Sequence, residues 1–399
     1  MLKRILIDVL CTGIALVIFA LFHHVLPRQQ QSLNIVIPNP LEAQQEKTSG
    51  ALPAGWAEES EAAEDTEDTD DTEKTETLGM LAAGTSVTDS GSRMLGMGRK
   101  QQGGGKQNRS GGGMNSKGGS ALEDDAASEE DTDPQIEESD DTPMVEKFAE
   151  YYTDTVEITE NSYSSPNVSI TVTEEQSEDG RITYYLADIH VKDITSFRSA
   201  LAGDTYGSGY RDSIQDMAAL NNALLAVNGD YYGNTGEGVV IRNGVIYRAN
   251  RTNCDVCVLY YDGTMRVMPG SSFSVEEAIQ DGAWQAWTFG PALLNTDGSV
   301  LTEFSSTGRI IAANPRTAIG YYEPGHYCIV VVDGRGESAG ITLPDLSQLF
   351  YDLGCTAAYN LDGGNSSVMV WQNAVINDPS GGGRESSDAL LIAEVNGNE

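Results

Sequence analysis

The chain spells one polar device twice. Ala226-Val227-Asn228-Gly229-Asp230 and Ala358-Tyr359-Asn360-Leu361-Asp362 both read A-x-N-x-D at the end of an apolar run that follows a helical segment. Residues two apart on a strand share a face, so each Asn and Asp pair is expected to point one way. A carboxylate held beside an amide can meet a developing positive centre, attack it, or move a proton. Gly363 and Gly364 would let a ligand approach the backbone, and Ser366 offers a hydroxyl. Asn and Asp also close strands without any further role, but the recurrence favours a site.

Other polar groups are spaced to join it. Asp333-Gly334-Arg335 ends the apolar run Ile329–Val332. If that run and Ala357–Asp362 are parallel neighbours linked by a helix, Asp333 and Asp362 emerge at one sheet edge, where ligands of such sheets collect. Arg316 follows Asn314-Pro315, and Arg384 follows the triple glycine Gly381–Gly383. Guanidinium groups suit bidentate recognition of phosphate or carboxylate, although a surface Arg without a partner is commoner. Asp230, Asp333 and Asp362 with nearby amides are also hard oxygen ligands, fit for Ca2+ or Mg2+.

These residues need a scaffold, and the texture from about Val145 onward supplies one. Strand-length runs such as Ile182–Val191, Leu224–Gly229, Cys257–Met268 and His326–Gly334 alternate with turn signals. Asn243-Gly244 and Asp262-Gly263 sit between runs and predict hairpins. Ser213 is placed to cap a helix to about Ala223, and Thr342 or Leu343 with Pro344 opens a second that Gly354 closes. The expectation is one large α+β or mixed α/β domain over residues 145–399, with a mixed sheet, few helices, and residues 145–203 adding strands. Cys254-x-x-Cys257 lacks the partners of a zinc site, and Cys328 and Cys355 read as small buried apolar residues. His190 and His326 read as isolated, and Trp284, Trp287 and Trp371 as core or sugar-stacking residues.

Ahead of that domain the composition differs. Lys3 and Arg4 precede an apolar run from Ile5 to Leu26, long enough to cross a bilayer as a helix. The positive-inside bias puts the remainder outside, so residues 1–27 read as a single-pass membrane anchor with an extracytoplasmic C-terminal domain. Residues 28–144 read as a disordered linker: Glu58–Glu76 is acidic, Arg93–Lys117 basic and Gly-rich, Glu123–Asp141 acidic again. A net charge of -36 excludes nucleic acid as a partner, since a phosphate backbone needs a basic face.

Taken together, VNGDYYG (Val227–Gly233), FGPALL (Phe289–Leu294), NPRTAIGYY (Asn314–Tyr322), Val330–Ser367 and the closing Gly-rich segment with Arg384 resemble the phosphodiester glycosidase family. The resemblance covers about Ala219 to Ile392. It implies hydrolysis of the bond between a sugar's anomeric carbon and a phosphodiester, within cell-surface polysaccharide or wall-polymer metabolism. Carried over, the site residues are Asn228, Asp230, Arg316, Asp333, Arg335, Asn360, Asp362, Gly363, Gly364 and Ser366. Two departures stand out: Asp230 where the family often has a second glycine, and Asn365 where it often has a third. Such cleavage passes through an oxocarbenium-like state, and the phosphate leaving group needs charge neutralisation more than a strong acid. Asp362 is therefore expected as nucleophile or electrostatic stabiliser, Asp333 or Asp230 as a second acid/base, and Arg316 and Arg335 as phosphate clamps. The alternatives are a non-catalytic module binding sugar-phosphate polymer and a divalent-metal-dependent phosphodiesterase.

Overall fold

The computed structural model describes residues 12–14, 16–17, 27–41 and 146–395. Most of the Ile5–Leu26 run and all of the low-complexity stretch 42–145 lie outside the described residues, and so do the anchor and linker expectations that fall there. Among the described residues no helix is long and apolar enough to cross a membrane.

Among the described residues twenty strands, numbered along the chain, form three large sheets and one short ribbon. The seven-stranded sheet runs β17 (Ala357–Asn360), β15 (Arg316–Glu323), β16 (His326–Val332), β6 (Thr183–Val191), β5 (Val168–Gln176), β4 (Ser162–Ser164) and β3 (Glu157–Ile158). The five-stranded sheet runs β19 (Ala374–Val375), β18 (Met369–Trp371), β9 (Leu225–Asn228), β20 (Asp388–Ile392) and β7 (Phe197–Leu201). The six-stranded sheet runs β13 (Met265–Pro269), β12 (Asp255–Tyr260), β14 (Ala283–Thr288), β10 (Val239–Arg242), β11 (Val245–Ala249) and β2 (Ile35–Val36). A ribbon pairs β1 (Arg28–Gln29) with β8 (Gly207–Ser208). Four short helices complete the described fold: α1 (Ile214–Leu220), α2 (Val275–Gln280), α3 (Gly308–Ile311) and α4 (Leu343–Asp352).

Local chemistry explains the boundaries. Asn243 and Gly244 both take positive φ, 51° and 73°, which turns β10 back onto β11 with the twist the strands need. The Ser213 hydroxyl accepts from the Asp216 amide at the start of α1, and Thr342 does the same for Asp345 in α4, with Pro344 in the first turn. Helix α4 lays Leu343, Leu346 and Phe350 on β15 and β16, where Ala318, Cys328, Val330 and Val332 form a core layer. Helix α1 covers the five-stranded sheet with Ile214, Met217 and Ala218 against Ala226, Val370 and Leu391. The faces turned away from these helices supply the main core, which includes Trp287, Ile329, Tyr359 and Leu390.

Four expectations change. Every pairing among the described strands is antiparallel, so β16 and β17 run parallel to each other only because β15 lies between them. Their carboxyl ends still share an edge. Residues 28–41 also depart from the linker reading. Ile35 and Val36 pair with Ile246 and Val245, and Ile37, 1% exposed, enters the main core. Burying that one isoleucine contributes about 2 kcal/mol. Residues 157–191 do extend one sheet as expected, but β7 joins another. Finally, His190 and His326 are not isolated: they stack on each other across β6 and β16, 4.1 Å between ring centres, between Tyr151 and Tyr322. Trp284, Trp287 and Trp371 are all core residues.

Candidate functional site

The two A-x-N-x-D copies meet. β9 and β17 belong to different sheets, and their ends are joined by Asn228, whose Nδ2 donates to the Asp362 carbonyl (2.7 Å). Its Oδ1 accepts from the Thr317 hydroxyl of β15 (2.7 Å), and the Asp362 amide donates to the Gly229 carbonyl (3.4 Å). Asn360 does comparable work one layer away, donating from Nδ2 to the Gly290 carbonyl (2.8 Å). Both asparagine side chains are fully buried. They were expected to face a ligand; instead they clamp backbone and so aim the residue that does.

That residue is Asp362. Its Oδ1 accepts from the Gly363 amide (3.0 Å), and its Oδ2 accepts from the Ser366 hydroxyl (2.8 Å) and from Arg384 Nη2 (2.7 Å). Arg384 also donates to the Ser366 hydroxyl. Burial pushes the Asp362 carboxyl above the usual carboxylate range, while Ser366, Arg384 and the Gly363 amide pull it back. The carboxylate is 13% exposed and the arginine 44%, so the ion pair sits at a mouth.

One recess, about 120 Å3, opens beside it, lined by Arg309, Asn314, Arg316, Arg335, Asp362 and the Gly363-Gly364 turn, with Phe289 on its wall. On the Arg384 side lies a tight crevice, too narrow to admit a water molecule, between Arg211, Asp230, Tyr231, Asn234 and Glu385. Arg335 crosses the recess held at both nitrogens, Nη1 donating to Asn365 Oδ1 (2.9 Å) and Nη2 to Asn314 Oδ1 (2.8 Å). Gly364 makes this approach feasible. Its φ of +70° is left-handed, and a Cβ there would lie 3.1 Å from Arg335 Nη1.

The remaining expected residues are placed differently. Arg316 opens β15 between Asp333 and Asp362 but is 4% exposed. Its Nε donates to the Ile341 carbonyl (3.3 Å), and its Nη2 to the carbonyls of Ala312 (2.7 Å) and Ile310. Burial, then Arg335, lowers its pKa to about 10. It thus holds the α3 segment as a wall of the recess. Asp333 gives Oδ1 to Asn377 Nδ2 (2.8 Å) and Oδ2 to the Asp378 amide (3.0 Å), and it lines neither hollow. Asp230 has a wholly enclosed carboxylate: Oδ1 accepts from the Tyr232 amide (2.9 Å) and Oδ2 from the Thr288 amide (3.0 Å), and Oδ2 forms an ion pair with Arg242 Nη2 (3.0 Å). Asp333 is set to anchor backbone away from both hollows, and Asp230, although it lines the Arg384-side crevice, has a side chain with no solvent exposure, against 13% for Asp362. Nor do the three aspartates gather as metal ligands. Among the described residues the one such group is Asp188, His190 and His326, at the opposite end of β16 from Asp333.

Beneath Asp230 lies a charge group that the sequence reading did not single out. Arg242, fully buried, donates from Nε to Asp388 (2.9 Å), and its Nη2 forms ion pairs with Asp388 (2.8 Å) and Asp230 (3.0 Å). Burial raises the Asp388 carboxyl to about 7, with Arg242 opposing and Asp230 and Asp362 adding to it. A Cβ on Gly229 would lie 2.5 Å from that carboxylate. The available signals were an Arg immediately before an Asn-Gly turn and an Asp opening the apolar strand Asp388–Ile392.

Residues 221–393 match the model of the phosphodiester glycosidase family. Strands β1 to β8 and helix α1 lie before the match. The chain is 29% identical over 274 residues to the SPbeta prophage-derived uncharacterized protein YomE of Bacillus subtilis (strain 168), spanning 63% of this chain and 42% of that protein. Among solved structures it is similar to the catalytic domain of zebrafish N-acetylglucosamine-1-phosphodiester alpha-N-acetylglucosaminidase, auto-inhibited by its pro-peptide. That likeness is 21% identical, covers 57% of this chain and 83% of the other, and has a TM-score of 0.46. A hypothetical protein from Synechocystis is 12% identical, with 60% and 64% covered and a TM-score of 0.45.

Proposed function

We propose that this domain hydrolyses the glycosidic bond of sugar-1-phosphodiesters outside the cytoplasm, tethered by the Ile5–Leu26 run. The observation that carries the reading is the Asp362 carboxylate, paired with Arg384 at the mouth of a recess lined by Arg309, Arg316 and Arg335. A phosphodiester is a good leaving group once its charge is neutralised, so one carboxylate and a set of arginines suffice where a paired-carboxylate site would need a strong acid. Asp362 faces the positive charge that develops at the anomeric carbon. Arg335, prealigned by Asn314 and Asn365, receives the departing phosphate, with Arg309 and the rim of Arg316 adding positive potential. Arg384 guards Asp362 in the unliganded site and turns toward the substrate when it enters. Asn228 and Asn360 fix the backbone that carries Asp362, and the Asp230–Arg242–Asp388 group fixes the floor.

The test is incubation of the full chain in detergent with a chromogenic sugar-1-phosphodiester, alongside Asp362→Asn. Release of sugar by the native chain and its loss in the variant support the reading. Tight binding with no release would instead make the protein a sugar-phosphate binding module.

A further inference from the structure

The geometry points to a substrate carried by a membrane lipid: a glycosyl-1-phosphodiester whose other ester is to a lipid in the bilayer to which the chain is tethered. This inference rests on the proposed activity and anchor, and names the substrate class of that same site. Its starting point is how little chain separates the apolar run from the cleft. Leu26 ends the run, and Arg28 and Gln29 are already paired with Ser208 and Gly207. Two extended residues span at most about 7 Å.

From that ribbon the cleft is two contacts further on. The Arg28 carbonyl packs against Gly207, and the Gly207 carbonyl lies against Gly233, where a Cβ would sit 3.4 Å from it. Gly233 also abuts the Ser387 hydroxyl. Ser387 and Asn234 both line the Arg384 side of the cleft. A second tie runs from the next residue. Gln30 Oε1 accepts from Arg248 Nη1 (3.5 Å), which also donates to the carbonyls of Tyr232 (3.2 Å) and Thr235 (2.7 Å), on the turn that carries Asn234. Leu33 and Ile37 continue the attachment along β11, their amides donating to the carbonyls of Tyr247 (3.0 Å) and Gly244 (2.7 Å). The segment that would leave the bilayer is therefore a structural part of the wall beside Asp362, not a flexible tether. A rigid, short connection of this kind holds the Arg384 side of the cleft at the lipid surface. There it meets lipid-borne substrate at high local concentration and polymer standing far from the membrane poorly.

The test reconstitutes the full chain in phosphatidylglycerol–phosphatidylcholine vesicles. It compares a dialkylglycerol-linked sugar-1-phosphodiester embedded in the same vesicles with a short soluble methyl sugar-1-phosphodiester. A variant carries a Gly/Ser insert of about twenty residues between Pro27 and Arg28, which lets the ends separate by roughly 25 Å while leaving β1 and β2 intact. The expected result is turnover of both substrates by the native chain, with the insert lowering lipid-borne turnover about tenfold and leaving the soluble substrate within about twofold. Soluble turnover also reports that the variant is folded. Equal turnover of the lipid-borne substrate with and without the insert would overturn the lipid assignment while leaving the hydrolase reading intact. Turnover of neither substrate by the native chain would overturn both.

Discussion

The Arg384 guanidinium lies 2.7 Å from the same Asp362 oxygen that accepts the Ser366 hydroxyl, so one carboxylate oxygen binds two donors from the loops that follow β17. Replacing Asp362 by Asn keeps the shape and removes the charge that would meet an oxocarbenium-like centre. Turnover of a sugar-1-phosphodiester should fall by about 10^3-fold or more, with little loss of thermal stability. Arg384→Ala should cost about 10- to 100-fold in kcat/KM. A steady-state comparison with matched melting curves checks both, and an active Asp362→Asn protein would remove Asp362 from the mechanism.

Asn365 is a departure from the family pattern with a visible consequence. It and Asn314 hold the two terminal nitrogens of Arg335. Asn365→Gly should leave that arginine tied at one end only, raising KM several-fold, on the order of 1 kcal/mol for one lost hydrogen bond to a charged group, with kcat changed less. An unchanged KM would mean that Asn314 alone aligns the clamp.

The Asp230–Arg242–Asp388 group is buried without a share of solvent. Arg242→Met would leave two carboxylates facing each other in the interior and should destabilise the domain by about 3–5 kcal/mol, measured by denaturant unfolding. Asp230→Asn should cost less, because Arg242 keeps Asp388. Catalytic loss from Asp230→Asn greater than its stability loss explains would return Asp230 to the list of acid/base groups.

Two buried groups give opposite pH signatures. Asp388 has its pKa raised to about 7, so its contribution to stability is complete below the unfolded carboxylate pKa of about 3.9 and is lost as pH rises toward 7. His190 has its pKa lowered to about 4 by burial and by His326, so its contribution is complete above about 6.5 and is lost as pH falls toward 4. The difference in melting temperature between the native chain and Asp388→Asn should therefore shift in favour of the variant from pH 5 to pH 7. For His190→Asn the variant should gain relative to the native chain as pH falls through the same interval. Parallel melting curves across that range would contradict both assignments.

Much of this was legible in residue order. Asn243-Gly244, Ser213, Thr342-Pro344 and Gly354 mark turns and caps whose conformations depend on one or two residues, and the structure has them. The recurrence of A-x-N-x-D marked two strand ends that meet in the fold, joined by Asn228 and the Asp362 carbonyl. What residue order concealed was direction. Period-two reasoning placed Asn228 and Asn360 on the ligand side, but a strand end that meets another sheet spends its polar side chains on backbone. Arg316 was similarly misleading, since the carbonyls of Ile310, Ala312 and Ile341 take its guanidinium. The long-range partners Arg242 and Asp388 are 146 positions apart, beyond any local pattern. Ile35-Val36-Ile37, bounded by Asn34 and Pro38, did carry a strand signal, masked by the low-complexity stretch around it.

That small strand has a practical corollary for anyone expressing the protein. A fragment begun after the low-complexity stretch would lack β1 and β2, leave the β11 edge unpaired along Val245 and Ile246, and vacate the core position filled by Ile37. Exposed strand edges of that kind recruit other chains. Excising residues 42–145 and joining Leu41 to Glu146 through a short flexible bridge would keep both halves of the fold in one polypeptide. The stretch that looks like a stalk is, in the connectivity of the chain, a detour from the domain back to itself.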